Sequence, residues 1–178
     1  MTNSKGIIMQ HGVDNTLTTK NRNNYDYYGT PPQITQYLLN IETFQKNILE
    51  PCAGQGYISQ YLENKGYNVT SMDIQQNMYP KNKIQNFLTY NKQHTGDIIT
   101  NPPYSKAIEF VTHTLKICTG KIAMLLKLQF LETIQRYEKI FKNNPPQRVH
   151  IFVKRVNCIK NDNTMKGGGY VFCLVCMG

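Results

Sequence analysis

Residues 97–104 read Asp97-Ile98-Ile99-Thr100-Asn101-Pro102-Pro103-Tyr104, DIITNPPY, and every other part of the chain can be placed relative to them. Ile98, Ile99 and Thr100 are β-branched and suit a buried, extended strand. Two consecutive prolines cannot continue it, because neither has a backbone N–H to give to a ladder. Ser105 then reads as a helix cap, since Ala107, Ile108, Val111 and Leu115 follow at helical spacing. Asn101 to Tyr104 are therefore expected to form a stiff loop between a parallel-type strand and a helix. In open α/β sheets ligands bind at that edge.

Working back toward the N-terminus, Ile48-Leu49-Glu50 reads as a short strand that enters the loop Pro51-Cys52-Ala53-Gly54-Gln55-Gly56. A helix with Ile58, Tyr61 and Leu62 inward follows, and Gly66 stops it. Val69 to Asp73 is the next strand, ending in an acid about twenty residues after the first loop glycine. Earlier still, Tyr28-Gly29-Thr30-Pro31-Pro32-Gln33 opens a helix in which Thr30 caps, Pro31 occupies the first turn and Gln33 completes a capping box. Ile34, Tyr37, Leu38 and Ile41 give that helix one apolar face. Residues 1–24 are polar and aperiodic, and read as a flexible arm preceding a single domain over 25–178.

Downstream, the pattern predicts a strand from Lys121 to Leu126 and a helix from Glu132 to Phe141 ended by Asn-Asn-Pro-Pro. Two further strands, Arg148 to Lys154 and Tyr170 to Val175, are separated by Gly167-Gly168-Gly169. Strands alternating with helices predict a three-layer, doubly wound α/β fold.

The chain has 178 residues, enough for one core without metal or disulfide staples. Its five cysteines are odd in number and irregular in spacing, and its N-terminus lacks an apolar signal region, so a cytoplasmic location is expected. No apolar run reaches the roughly 20 residues that cross a bilayer. Cys173-Leu-Val-Cys176 is a lone CxxC without a second pair or a histidine partner, and the four histidines are scattered, so no metal is expected. The net charge of +9 and pI of about 9.3 point to a polyanionic partner, because Lys and Arg gain affinity by releasing counterions from phosphates. Lys154, Arg155, Lys160 and Lys166 are candidate phosphate contacts, or otherwise solvated surface charges.

The glycine loop reads GxGxxS through Ser59, and a tight strand-to-helix turn needs glycine for steric reasons alone. The acids around it add chemistry. Asp73 can accept hydrogen bonds from ribose hydroxyls and Glu50 can face an amino group; the alternative is a pair of solvated strand-end acids. Asn101-Pro102-Pro103-Tyr104 is more specific. An exocyclic amino nitrogen of adenine is a poor nucleophile because its lone pair is conjugated with the ring. Two acceptors holding its hydrogens help it to pyramidalise and attack. Asn101 offers a side-chain oxygen and Pro102 a backbone carbonyl, the prolines hold both in place, and Tyr104 offers a flat face for the base. A base so treated must first leave its stack.

The ordered set TPPQI, EPCAGQG, the Asp73 strand end and DIITNPPYS resembles the S-adenosylmethionine-dependent, amino-directed adenine DNA methyltransferases. The segments AIEFV, LLKLQFLE and RVHIFVKRVNC resemble the small phage-type members of that family, so the similarity extends over about residues 25–178. It implies a Rossmann-like class I methyltransferase sheet, mostly parallel with a final antiparallel strand. It also implies S-adenosylmethionine as cofactor, held by Tyr28, Thr30, Pro31, Glu50, Gly54, Gly56, Asp73 and Asn86, and catalysis by Asn101, Pro102, Pro103 and Tyr104. DNA is the implied partner, with RNA possible, and for a phage-encoded chain the host cytoplasm is the implied location. Because other members carry Asp in place of Asn101, the resemblance further implies that Asn101→Asp keeps measurable activity, although its negative charge alters the pocket.

The chain departs from the pattern in two ways. An acid is expected near Asn86, where the amide can still hydrogen bond, and tryptophans are expected near Cys173 and Cys176, yet the chain has no tryptophan. The short chain after Ser105 is mostly strand, which leaves no room for a separate recognition domain; target choice falls to the loops at 143–148 and 155–169 or to the N-terminal arm. The same loop also serves methylation of RNA bases and of protein glutamine, and a silent nucleic-acid-binding module is the rival of another class. High positive charge favours nucleic acid over protein as substrate.

Overall fold

A computed structural model describes residues 28–75, 79–154, 156–160, 163–164 and 171–178. The arm at 1–24, together with Arg155, Lys166, Tyr170 and the side chain of Lys160, lies outside the described residues. Strands β1 (Asn47–Glu50), β2 (Asn68–Asp73), β3 (Lys83–Ile84), β4 (Asp97–Thr100), β5 (Ile122–Lys127), β6 (Arg148–Ile151) and β9 (Phe172–Met177) form one sheet in the order β3-β2-β1-β4-β5-β9-β6. A separate antiparallel pair joins β7 (Ile159–Lys160) to β8 (Asn163–Thr164). The first five strands pair in parallel, whereas β9 runs antiparallel to both β5 and β6. The fold is thus the α/β, mostly parallel sheet with an antiparallel late strand that the sequence predicts.

Alternation along the strands builds the three layers. On β5, Ala123 and Leu125 join Ile34 and Leu38 of α1 (Pro32–Ile41) and Ile58 and Leu62 of α2 (Tyr57–Asn64). Ile122, Met124 and Leu126 face the other way and join Ala107 and Val111 of α3 (Ala107–Ile117). A strand covered on both faces needs apolar residues at every position, which is why Ile-Ala-Met-Leu-Leu reads as an unbroken run. Burying such side chains contributes roughly 1.5–3 kcal/mol each before the entropy of ordering is subtracted.

Several predicted boundaries shift, each for a local reason. Pro31, not Thr30, is the cap of α1, no side chain caps that helix, and Gln33 is exposed. The Thr30 hydroxyl is engaged elsewhere, as described below. Tyr37 and Ile41, predicted inward, are about half exposed, while Ile34, Thr35 and Leu38 carry the buried stripe. Ser105 does not cap α3; a 3₁₀ turn over Tyr104–Lys106 precedes that helix. β6 ends at Ile151 rather than Lys154, because its partner β9 offers only Cys173 to Cys176 opposite it, and Val153 is fully exposed. The predicted helix over 132–141 is a short α-turn, α4 (Ile134–Arg136), that widens into a π-turn over Tyr137–Phe141. Lys142 N–H there bonds to the Tyr137 carbonyl five residues back at 2.8 Å, and the wider turn buries Ile140.

At the N-terminal edge of the parallel strands, the buried Glu42 carboxylate bonds to Arg148, to Lys121 Nζ at 2.6 Å and to His150 Nε2 at 3.0 Å. The Arg148 bond, with help from Lys121 and His150 and against the cost of burial, lowers Glu42 to about 2. Glu42, His150 and Cys176 bring three potential metal-ligand atoms within 4.8 Å of one another, but the carboxylate is already committed to two cations.

Candidate active site

The opposite edge of the sheet opens into a cleft of about 930 Å³. Its walls come from the C-terminal ends of β1, β2, β4 and β5 and from the segment before α1, which is where topology places a ligand in such a sheet. Tyr28, Thr30, Glu50, Asp73, Asn86 and Asn101 to Tyr104 all line it. Pro31, Gly54 and Gly56 shape the wall without lining it: Pro31 is the cap of α1, and the two glycines turn the β1–α2 loop.

That turn explains the glycines. Gly56 has φ +80°, and a Cβ there would sit 2.5 Å from the Tyr79 ring, so both conformation and space demand glycine. Gly54, with φ +51°, donates its N–H to Asp73 Oδ2 at 2.8 Å, and Gln75 N–H donates to Asp73 Oδ1 at 2.8 Å. Asp73 therefore fastens the glycine loop to the end of β2. Its carboxylate still has acceptor capacity for two hydroxyl donors, since each oxygen carries two lone pairs.

Glu50 is not a solvated strand-end acid, for it is 1% exposed. Ser59 Oγ donates to its Oε2 and lies 2.6 Å from Ser71 Oγ, so the serine in the third position of GxGxxS serves the acid rather than a close helix packing. Burial pushes Glu50 up to about 8, against the opposing Ser59 hydrogen bond. Cys52, in the same wall, has its thiol pushed well up by burial and by the nearby Asp73 and Glu50 charges, so it is no thiolate nucleophile. Asn86 accepts the Leu88 N–H at 3.1 Å and caps a 3₁₀ turn over Phe87–Thr89, which fixes its amide at the rim.

Asn101 has a divided environment. Its Nδ2 donates to the Tyr28 carbonyl at 2.9 Å and to Thr30 Oγ1 at 3.0 Å, whereas its Oδ1 is buried with no hydrogen-bond partner among the described residues. A carbonyl oxygen can only accept, so the Tyr28 contact fixes which end of the amide is nitrogen. The oxygen is left for something else. Pro102, next in the chain, is buried and lines the cleft as well. Tyr104 stacks on Tyr28 with centroids 5.8 Å apart and tilts against Phe172 at 5.5 Å, with Lys127 Nζ 5.0 Å from its ring centre.

Three cations that sequence reasoning missed, Lys106, Lys127 and Arg136, line the cleft with this loop. Arg136 lies over the Phe130 ring and donates to the Gln129 and Glu132 carbonyls. Lys127 was findable, because it closes an apolar strand whose C-terminal end must reach the cleft. Arg136 was not, since its place depends on the unusual turn after Thr133, whose φ is +90°. Lys154 is exposed and does not line the cleft. Acids thus come from β1 and β2, and cations from the end of β5 and from the segments that follow β4 and β5.

No family model matches the chain, and no curated protein does. Solved structures do. The chain is similar to the 23S rRNA methyltransferase ErmE, with 13% identity, a TM-score of 0.60, and 85% of this chain and 69% of that one covered. It is similar to magnesium protoporphyrin IX methyltransferase (ChlM) from Synechocystis PCC 6803 with bound SAM, with 13% identity, a TM-score of 0.55, and 82% and 76% covered. TrmN from Thermus thermophilus matches at 13% identity and a TM-score of 0.56, over 82% of this chain and 48% of that one. At such identities the likeness is one of fold, and the fold is the Rossmann-like one of class I methyltransferases.

Proposed function

We propose that the chain is an S-adenosylmethionine-dependent methyltransferase acting on the exocyclic amino group of adenine in DNA. The observation that carries this reading is the buried Oδ1 of Asn101, without a hydrogen-bond partner among the described residues, on a proline-stiffened loop in the cleft wall. An oxygen so held is an acceptor waiting for a donor, and an amino group losing its conjugation is the donor it suits. Backing by Tyr28 and Thr30 means that no reorganisation is needed when the substrate arrives.

The cofactor reading fits the donor set of the other half-cleft. Asp73 would take the ribose hydroxyls, Glu50 the amino group, and the rim at Asn86 to Leu88 the adenine. Bound there, S-adenosylmethionine supplies an electrophilic methyl on a sulfonium that leaves without metal assistance. This chain's part is to hold the accepting amino group in line and to keep water out with Pro102 and Phe110. Asn101 Oδ1 accepts a hydrogen bond from the amino N–H, which stabilises the positive charge developing on that nitrogen until one of its protons is released to solvent as the neutral thioether departs. The cations Lys106, Lys127 and Arg136 favour a phosphate-bearing substrate over a protein glutamine. They do not separate DNA from RNA, and the likeness to ErmE keeps RNA as the second reading.

The experiment is incubation with methyl-labelled cofactor and, separately, adenine-containing DNA, RNA and protein, with the product identified by mass spectrometry. N6-methyladenine in DNA is the expected product. Label confined to RNA would shift the substrate, and label on protein alone would end the nucleic-acid reading.

A further inference from the structure

We infer that Thr30 is a positioning residue that sets the orientation of the Asn101 side chain, and so acts on the chemistry rather than on cofactor affinity; the inference rests on the amino-methyltransferase reading above. Thr30 is 5% exposed, stands immediately before Pro31, and spends its hydroxyl on Asn101 Nδ2 at 3.0 Å instead of capping α1. The second acceptor on the same nitrogen is the Tyr28 carbonyl at 2.9 Å. Each hydrogen of the amide nitrogen thereby has one acceptor, and both acceptors lie on one three-residue segment. An amide whose nitrogen is so held cannot flip, and the flipped form would point Oδ1 at a carbonyl oxygen.

The segment is itself anchored away from the cleft. Gly29 N–H donates to the Ile159 carbonyl at 2.8 Å, and Ile159 N–H donates back to the Gly29 carbonyl at 2.8 Å. This two-bond bridge clamps residues 28–30 against β7, while Tyr28 stacks on Tyr104 of the same loop as Asn101. Thr30 is thus the side-chain contribution to a rigid cradle whose other parts are backbone and ring.

Thr30→Val is nearly isosteric and replaces the hydroxyl with a methyl, and Thr30→Ser keeps the hydroxyl. In single turnover Thr30→Val should slow methyl transfer roughly five- to tenfold, the scale of one neutral hydrogen bond, with Thr30→Ser close to the parent. Cofactor affinity by calorimetry should stay within about twofold in both, and Thr30→Val should cost nothing further in an Asn101→Ala background, because the two act through one contact. Exchange of the Asn101 side-chain amide hydrogens, followed by NMR, should be slow in the parent and Thr30→Ser and faster in Thr30→Val. That arm reads the contact even if the parent methylates nothing, an outcome that would overturn the functional reading alone. A Thr30→Val enzyme with parental rate, a loss that persists in full on Asn101→Ala, unaltered amide exchange, or weakened cofactor binding at unchanged rate would each overturn the inference.

Discussion

Asp73 and Gly54 are joined across the mouth of the β1–α2 loop by a 2.8 Å hydrogen bond from the glycine N–H to the carboxylate, so the acid that ends β2 also holds the glycine turn in shape. A substitution there has two effects at once. Asp73→Ala strands the N–H groups of Gly54 and Gln75 and, on the proposed cofactor reading, removes the acceptor for ribose hydroxyls. Cofactor binding should weaken by about 1.5 to 3 kcal/mol, the range for bonds to a charged group, with a lowered melting temperature alongside. Calorimetry that finds unchanged affinity in a folded variant would remove Asp73 from the cofactor site.

Glu50 makes stability fall with rising pH. Its folded value of about 8 lies above the ordinary 4.5, so the native state holds a proton that the unfolded chain has already lost. Its contribution is complete below about 4.5 and disappears as pH rises through about 8. Denaturant titrations across that window should show a downward slope that Glu50→Gln flattens. An equal slope in both proteins would contradict the buried acid.

Glu42 governs the acidic side with the opposite sign. Held at about 2 by Arg148, Lys121 and His150, it contributes stability that is complete above 4.5 and lost as pH falls through about 2. Glu42→Gln should lower stability at neutral pH and shrink its loss on acidification. A variant that unfolds at low pH along the parental curve would show that other carboxylates carry this limb.

Binding to nucleic acid should be strongly salt-dependent, since phosphate neutralisation releases counterions. Lys127→Gln and Arg136→Gln, at the cleft, should each reduce the slope of log affinity against log salt by about 1. Slopes unaltered by both would place the phosphate contacts elsewhere on the chain.

What the sequence could reveal depended on how local the cause was. The strand over Ile98 to Thr100, its stop at two prolines and the glycine turn are decided by neighbours in sequence, and all of them stand as read. The strand β3 was not seen, because two residues carry no period. Thr30 reads as a cap because Thr favours that position and proline suits the first turn after it; only the return of residue 101 to its side, seventy-one positions on, gives its hydroxyl another partner. The same distance effect hid the cradle for Asn101 and sharpens one expectation. The resemblance implies measurable activity with Asp in place of Asn101, and because an Asp oxygen would here face the Tyr28 carbonyl, Asn101→Asp should fall between the parent and Asn101→Ala in rate.

On the proposed reading, the oxygen of Asn101 left unpaired among the described residues holds the amino group that accepts the methyl. The most direct test is single-turnover methyl transfer to adenine-containing DNA by the parent and by Asn101→Ala, read as N6-methyladenine by mass spectrometry, with cofactor affinity measured in parallel. The alanine variant should bind cofactor as the parent does and transfer about a hundredfold more slowly or worse, the scale of a lost transition-state hydrogen bond of ~2.7 to 4 kcal/mol. Equal rates in the two proteins would contradict the account.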